Sequence, residues 1–160
     1  MTSFSRRRRE ELFASIARGK GGAAGALLDS AVLAKAQSRL EALKPMATAD
    51  IGTGIDRIRR LAEEQATPEE IFATAHAIKG LAGTYGFASV GMVAGAIRVY
   101  AENPPPGFEP DWSLLQLLTH TMARLFADPG ATPEALAAMC REAVAKVMAR
   151  EGREIPEGAL

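Results

Sequence analysis

The chain has 160 residues, 48% of them apolar, which is enough to bury one well-packed core and too few for two comfortable ones. Its 19 Lys and Arg balance its 19 Asp and Glu, so no whole-chain field draws it to nucleic acid or acidic lipid. The single cysteine, Cys140, excludes an internal disulfide framework and suits a reducing compartment.

Residues 3–18 predict an amphipathic helix with Phe4, Leu12, Phe13 and Ile16 on one side. Arg6 to Arg9 then form a solvated face, with a docking site for an acidic partner or lipid surface as the alternative. Glu10 and Glu11 follow this basic run where an export signal needs an apolar segment. No apolar run approaches the ~20 residues of a bilayer span, so the expected location is the cytoplasm. A Gly/Ala stretch from Gly19 to Gly25 closes this part of the chain. Apolar residues then recur at helical spacing. Val32, Leu33, Ala36, Leu40 and Leu43 form one stripe, and Lys44-Pro45 reads as a stop. Ile51, Ile55, Ile58, Leu61 and Ala62 form a second.

Thr67-Pro68-Glu69-Glu70 is a helix start, with a capping threonine, a proline at the first helical position and a glutamate to complete a capping box. The stripe Ile71, Ala75, Ile78, Ala82, Tyr85 follows, and Gly86 breaks it. Val93, Ala96, Ile97 and Tyr100 make a fourth stripe, in which Gly91 and Gly95 are assigned to close helix packing. After the Pro-rich loop Asn103 to Gly107 come Leu114, Leu115, Leu118, Met122 and Leu125. Pro129-Gly130 is a turn, and Thr132-Pro133-Glu134 starts a last helix running to about Arg150, with a tail after Gly152 expected to fray. Cys140, in Ala137-Ala138-Met139-Cys140, reads as a small buried hydrophobe.

No long segment alternates as a strand does. The fold class is therefore all-α: an antiparallel four-helix bundle with additional N- and C-terminal helices. Residues 1–28 form an N-terminal extension, 29–128 the bundle with a capping helix, and 129–160 the C-terminal helix and tail.

Residues 67–87 carry the chemistry. With Ile71, Ala75, Ile78, Ala82 and Tyr85 facing the core, His76 points about 140° away and faces solvent. Gly80 and Gly83 fall on the same outer face, Lys79 stands between the histidine and the core side, and Phe72 and Phe87 project outward around His76. A glycine inside a helix costs about 1 kcal/mol relative to alanine, and outward phenylalanines call for a partner that covers them. Bare backbone at Gly80 and Gly83 leaves the imidazole approachable by a bulky partner, and Lys79 is placed to reach an anion on the ring. Neutral imidazole is a nucleophile that needs no dedicated base. The chain offers neither a metal cluster nor a Gly-rich phosphate loop, so Mg²⁺ and the activating groups are expected on the partner.

The run His76-Ala77-Ile78-Lys79-Gly80-Leu81-Ala82-Gly83-Thr84-Tyr85-Gly86-Phe87 resembles the signature of histidine phosphotransfer (HPt) domains of multistep two-component signalling. The resemblance implies a four-helix bundle with the histidine mid-helix on an exposed face. By matching position, His76 is the phosphorylated residue, on its distal ring nitrogen, and Lys79 stabilises the phosphoryl group. Gly80 gives clearance and Gly86 ends the helix. The implied partners are response-regulator receiver domains and a sensor or hybrid histidine kinase, with Phe72 and Phe87 in the docking surface. Leu81 is bulkier than the small residue common at its position.

Other readings fit less well. A dimerising histidine-kinase helix usually has an acidic residue after the histidine and a proline soon after, whereas Ala77 follows here and the next proline is Pro104. His120, without glycines or a basic neighbour, reads as a plain surface residue. Two distant histidines offer no metal-ligand spacing, and a basic stripe for nucleic acid is lacking beyond the arginines at 6–9. A bundle that binds a receiver or kinase without taking phosphate is the remaining alternative.

Overall fold

Five helices account for most of the described residues, which are 30–128, 130, 132–156 and 158 of a computed structural model. They are α1 (Ser30–Glu63), α2 (Pro68–Tyr85), α3 (Ala88–Ala101), α4 (Trp112–Ala127) and α5 (Pro133–Arg150). There is no strand among the described residues. The helix expected over residues 3–18 lies outside them. The chain divides into two compact units, residues 1–43 and 44–160.

Within the first unit, Val32, Leu33, Leu40 and Leu43 lie on α1 and are 44% to 54% exposed. The burial expected for this stripe is not observed. Helical spacing says which face of a helix is apolar, not whether another element covers it. The stop expected at Lys44-Pro45 is also absent, because α1 runs through Pro45. Proline removes the amide that would donate to the Glu41 carbonyl, but both residues are exposed, so water can serve that oxygen.

In the second unit the sequence stripes become the core. Ile51, Ile55, Ile58 and Ala62 of α1 are buried with Ile71, Ala75, Ile78 and Ala82 of α2. Leu114, Leu115, Leu118, Met122 and Leu125 join them from α4. Gly54 lets α1 approach α2: a Cβ there would stand 2.9 Å from Ile78 Cγ1. Gly52 faces Phe126, and Gln116 Nε2 donates to the Ala62 carbonyl at 3.5 Å, pairing α1 with α4 in antiparallel register. Gly91 meets Ala82 and Gly83, and Gly95 meets Lys79, pairing α2 with α3 in the same sense. With α3 packed on α4, the four helices close a ring.

The fifth helix changes what α3 has to be. Ala137, Cys140, Val144 and Met148 make the buried stripe of α5, which packs chiefly on α3 and less on α4. A helix covered on several sides must be apolar nearly all round. Accordingly Ser89, Val90, Gly91, Val93, Ala94, Gly95, Ala96, Ile97, Val99, Tyr100 and Ala101 of α3 are all buried. Burial pushes the Cys140 thiol pKa up, in keeping with its reading as a small core residue.

Arg153, at the start of the tail expected to fray, is held by the body of the chain. Arg153 Nη2 donates to the Tyr100 carbonyl at 2.6 Å, and its guanidinium lies over the rings of Tyr100 and Phe108, at 5.2 and 4.5 Å. The Tyr100 hydroxyl donates to Glu151 Oε1 at 2.9 Å and accepts from the Asp111 amide at 2.8 Å. One phenol thus ties the end of α3 to the start of α4 and the end of α5. Desolvation by burial, aided by the Glu151 and Asp111 carboxylates, pushes its pKa up to about 12, with the Asp111 amide bond opposing.

A tyrosine whose folded pKa exceeds its unfolded value of 10.0 contributes stability that is intact below that value. The contribution is lost as pH rises toward about 12. Urea denaturation of Tyr100→Phe at neutral pH should show a loss of about 1–2 kcal/mol. The difference from wild type should shrink between pH 10 and pH 12. A difference that stayed constant across that window would place the stabilisation elsewhere.

Candidate functional site

The local design of α2 fixes what its outer face presents. Thr67 caps the helix with both halves of the capping box: the Glu70 amide donates to Thr67 Oγ1 at 3.4 Å and the Thr67 amide to Glu70 Oε2 at 3.3 Å. Pro68 occupies the first turn, where its missing amide costs nothing. The other end stops at Gly86, whose φ of 88° is left-handed, a conformation glycine adopts without the Cβ penalty of other residues. Between these marks Ile71, Thr74, Ala75, Ile78 and Ala82 are buried, which sets the rotation of the helix.

His76 is exposed on the opposite face, as its phase requires. Gly80 and Gly83 are also exposed, and a Cβ at either would meet nothing within 4 Å. Neither glycine is therefore demanded by packing, and neither has a left-handed φ. By helical rise they stand about 6 and 10 Å along the axis from the histidine. Beside the ring lies a strip of bare backbone.

Two neighbours furnish the imidazole with its surroundings. The Phe72 ring, one turn earlier, stacks on His76 with centroids 6.0 Å apart and planes inclined at 21°. Lys79, three residues later, is exposed, and its Cδ, Cε and Nζ all lie 3.5 Å from where a Cβ of Gly95 would be. The lysine stem therefore runs along α3 over a glycine. Among the described residues it has no ion pair, so its charge is available to an anion nearby.

Phe72 and Phe87 do not face water as expected. Both are half-buried and packed against the core. Phe72 adjoins buried Ile71 and lies beneath the Arg98 guanidinium, 6.0 Å from its centroid. Phe87 follows the left-handed Gly86, so the angle it would have on a continued helix no longer applies. Its ring tilts against Phe126 at 5.3 Å, beyond the end of α2. The structure thus gathers Phe72, His76 and Lys79, with Gly80 and Gly83 beside them, and leaves Phe87 at the margin. Leu81 is half-buried and packs against the core, away from the open strip.

Arg98 does not stand out in the sequence, being one charge among many, and the packing of Gly95 proves to be against the Lys79 side chain. Both come from α3, and finding them requires the register between α2 and α3. Gly91 does have the packing role assigned to it, with backbone of Lys79 and Gly83 3.8 and 3.6 Å from its missing Cβ. His120 is exposed, with Nδ1 2.7 Å from the Gln116 carbonyl, as for a plain surface histidine. Among the described residues no group of three or more His, Cys, Asp and Glu side chains is arranged to hold a metal ion.

An exposed histidine, an exposed lysine three residues on and a cleared backbone strip, all on a bundle helix, now stand beside the sequence signature. The Hpt domain family model matches residues 10–128. The chain belongs to the Hpt family. Membership gives it a phosphotransfer-related role in two-component signalling. Hpt domains in general interact with receiver domains and histidine kinases. No curated protein and no solved structure matched the chain. No helix among the described residues is long and apolar enough to cross a membrane. The matched span ends at residue 128, before α5 begins at Pro133, so the helix that covers α3 lies beyond it.

The glycines of this Hpt helix give a direct prediction. With open space at both positions, Gly80→Ala and Gly83→Ala should each stabilise the fold by up to about 1 kcal/mol through helix propensity. Gly54→Ala should instead lower stability by about 1–2 kcal/mol, since crowding against Ile78 outweighs the propensity gain. Thermal melts of the three variants check both signs, and a destabilising Gly80→Ala would mean that packing, not access, keeps that glycine.

Proposed function

We propose that this Hpt protein is a phosphocarrier: His76 takes a phosphoryl group from an aspartyl phosphate on one receiver domain and later passes it to the aspartate of another. The observation that carries the reading is the exposed His76 imidazole with exposed Lys79 three residues on and the open backbone of Gly80 and Gly83.

The step balances as follows. With the ring proton on Nδ1, the Nε2 lone pair attacks phosphorus and forms an N–P bond. The P–O bond of the acyl phosphate breaks, and its electron pair leaves on the aspartate carboxylate. The Nδ1 proton is then free to exchange with solvent, and the reverse step onto a second aspartate regenerates the imidazole. Lys79 offsets the charge of the phosphoryl group on the ring. The chain acts as a carrier rather than an enzyme, with Mg²⁺ and the remaining activating groups supplied by the receiver.

Docking uses the same face. A receiver must bring its aspartate to within reach of Nε2, and side chains at Gly80 and Gly83 would stand in its way. Phe87 at the helix end borders the contact, offering the part of its ring that the core leaves uncovered. A sensor or hybrid kinase is the source of the phosphoryl group upstream. With no membrane-crossing helix among the described residues and a buried, unpaired cysteine, the cytoplasm is the compartment that suits this role.

Transfer from a panel of phosphorylated receiver domains tests the reading. Wild type should become labelled and His76→Gln should not, with its helical circular dichroism unchanged. Gly80→Gln should fold and bind more weakly, with transfer slowed at least tenfold by collision with the receiver. Receiver binding without label on wild type would point instead to an interaction module.

A further inference from the structure

We infer that Phe72 is a positioning residue for the His76 imidazole, held in place by Arg98 from the neighbouring helix. The inference rests on the phosphocarrier reading for its meaning, but on separate geometry for its support. Phe72 and His76 stand four residues apart on α2, so their side chains rise from the same face one turn apart. Their rings are stacked, with centroids at 6.0 Å and planes 21° apart, within the range of an offset aromatic pair.

The stack is anchored from below. Phe72 is half-buried and packs against the core cluster, so its ring is a fixed surface rather than a mobile one. Arg98 of α3 places its guanidinium over the same ring at 6.0 Å. That guanidinium is itself held: Arg98 Nη1 donates to Glu102 Oε2 at 2.8 Å, and the arginine side chain is only 16% exposed. A line of contacts thus runs Glu102, Arg98, Phe72, His76, from an ion pair on α3 to the ring on α2.

An exposed histidine in a helix would otherwise choose among its rotamers. Two χ1 wells are open to a helical residue, and χ2 of an imidazole is broad and roughly two-fold. Transfer needs Nε2 aimed at the incoming phosphorus, and most of those states do not aim it. The flat face of Phe72 selects among them while His76 itself stays exposed. A ring left free should therefore lose about fourfold in the rate within the complex, while the complex forms as before. This separates a positioning residue from a docking residue, whose loss weakens binding.

The decisive variant is Phe72→Leu, which keeps apolar volume against the core and removes the flat face. In the full chain, three-bond NMR couplings to His76 Cγ report its χ1 populations without any partner. Single-turnover transfer from a phosphorylated receiver, measured against receiver concentration, separates the saturating rate from the apparent Kd. Phe72→Leu should average the couplings between rotamers and lower the saturating rate about fourfold, with Kd changed by less than about twofold. Phe72→Tyr should restore both readouts. Arg98→Met should shift the couplings in the same direction by less, and should add nothing in the Phe72→Leu background.

Unchanged couplings in Phe72→Leu would overturn the inference, since the ring would then be held by something else. A raised Kd with an unchanged saturating rate would overturn it too, making Phe72 a docking residue. If wild type accepts no phosphoryl group from any receiver, the phosphocarrier reading fails, and the couplings still decide whether Phe72 holds the ring.

Discussion

The rotation of α2 about its own axis is the constraint on which the site depends. Ile71, Ala75, Ile78 and Ala82 bury one face against α1 and α3, and this alone sends His76 to the other side. Each of these side chains is at most 2% exposed, so the helix has little freedom to turn. The pinning is reinforced from α1 and α3 by glycines. Gly54 receives Ile78 at a distance that no Cβ would tolerate, and Gly91 lets the backbone of α2 lie against α3. An exposed histidine is thereby held on a helix whose opposite face is buried, and surface access is combined with core rigidity.

The glycines of the two faces illustrate opposite physics. Gly54 is required by what it touches, whereas Gly80 and Gly83 touch nothing. The latter pair weakens the helix by roughly 1 kcal/mol each relative to alanine without any return inside the chain. Such a cost is understandable where the benefit lies outside it, in the approach of another protein. Gly95 is a third kind: its missing side chain is the floor along which the Lys79 stem runs. Meanwhile α5 covers the outer side of α3, and the Tyr100, Glu151 and Arg153 contacts fasten its end. The helix that carries Gly95 and Arg98 is thus braced from behind.

Much of this was legible in the sequence, because the strongest signals are local. The stripe through Ile71 and Ala82, the Thr67 capping box and the Gly86 stop together fixed the extent and phase of α2, and with them the exposure of His76. The four-helix ring follows from four stripes and short connections. Where the reading departed from the structure, the cause was non-local or a break in periodicity. The helical angle that sends Phe87 outward ceases to hold once Gly86 turns left-handed. Lys44-Pro45 has the form of a stop, although a proline whose freed carbonyl faces water can be carried within a helix. The stripe at Val32 to Leu43 had the right period and no covering element in the described structure. Arg98 and Gly95 join the site only through the packing register of α3 on α2, which no pattern within either segment reveals. Arg153 was assigned to a fraying tail because its partners, Tyr100 and Phe108, are far away in sequence.

The measurement that bears most directly on the account is the chemical identity of the phosphorylated atom. After incubation with a phosphorylated receiver domain that transfers to it, the full chain would be examined by ³¹P NMR and by fragmentation mass spectrometry under neutral conditions. The account predicts one phosphoramidate resonance of the Nε2 type, acid-labile and base-stable, mapping to His76. A phosphoryl group found on His120, on a carboxylate or on a hydroxyl, with His76 unmodified, would contradict it.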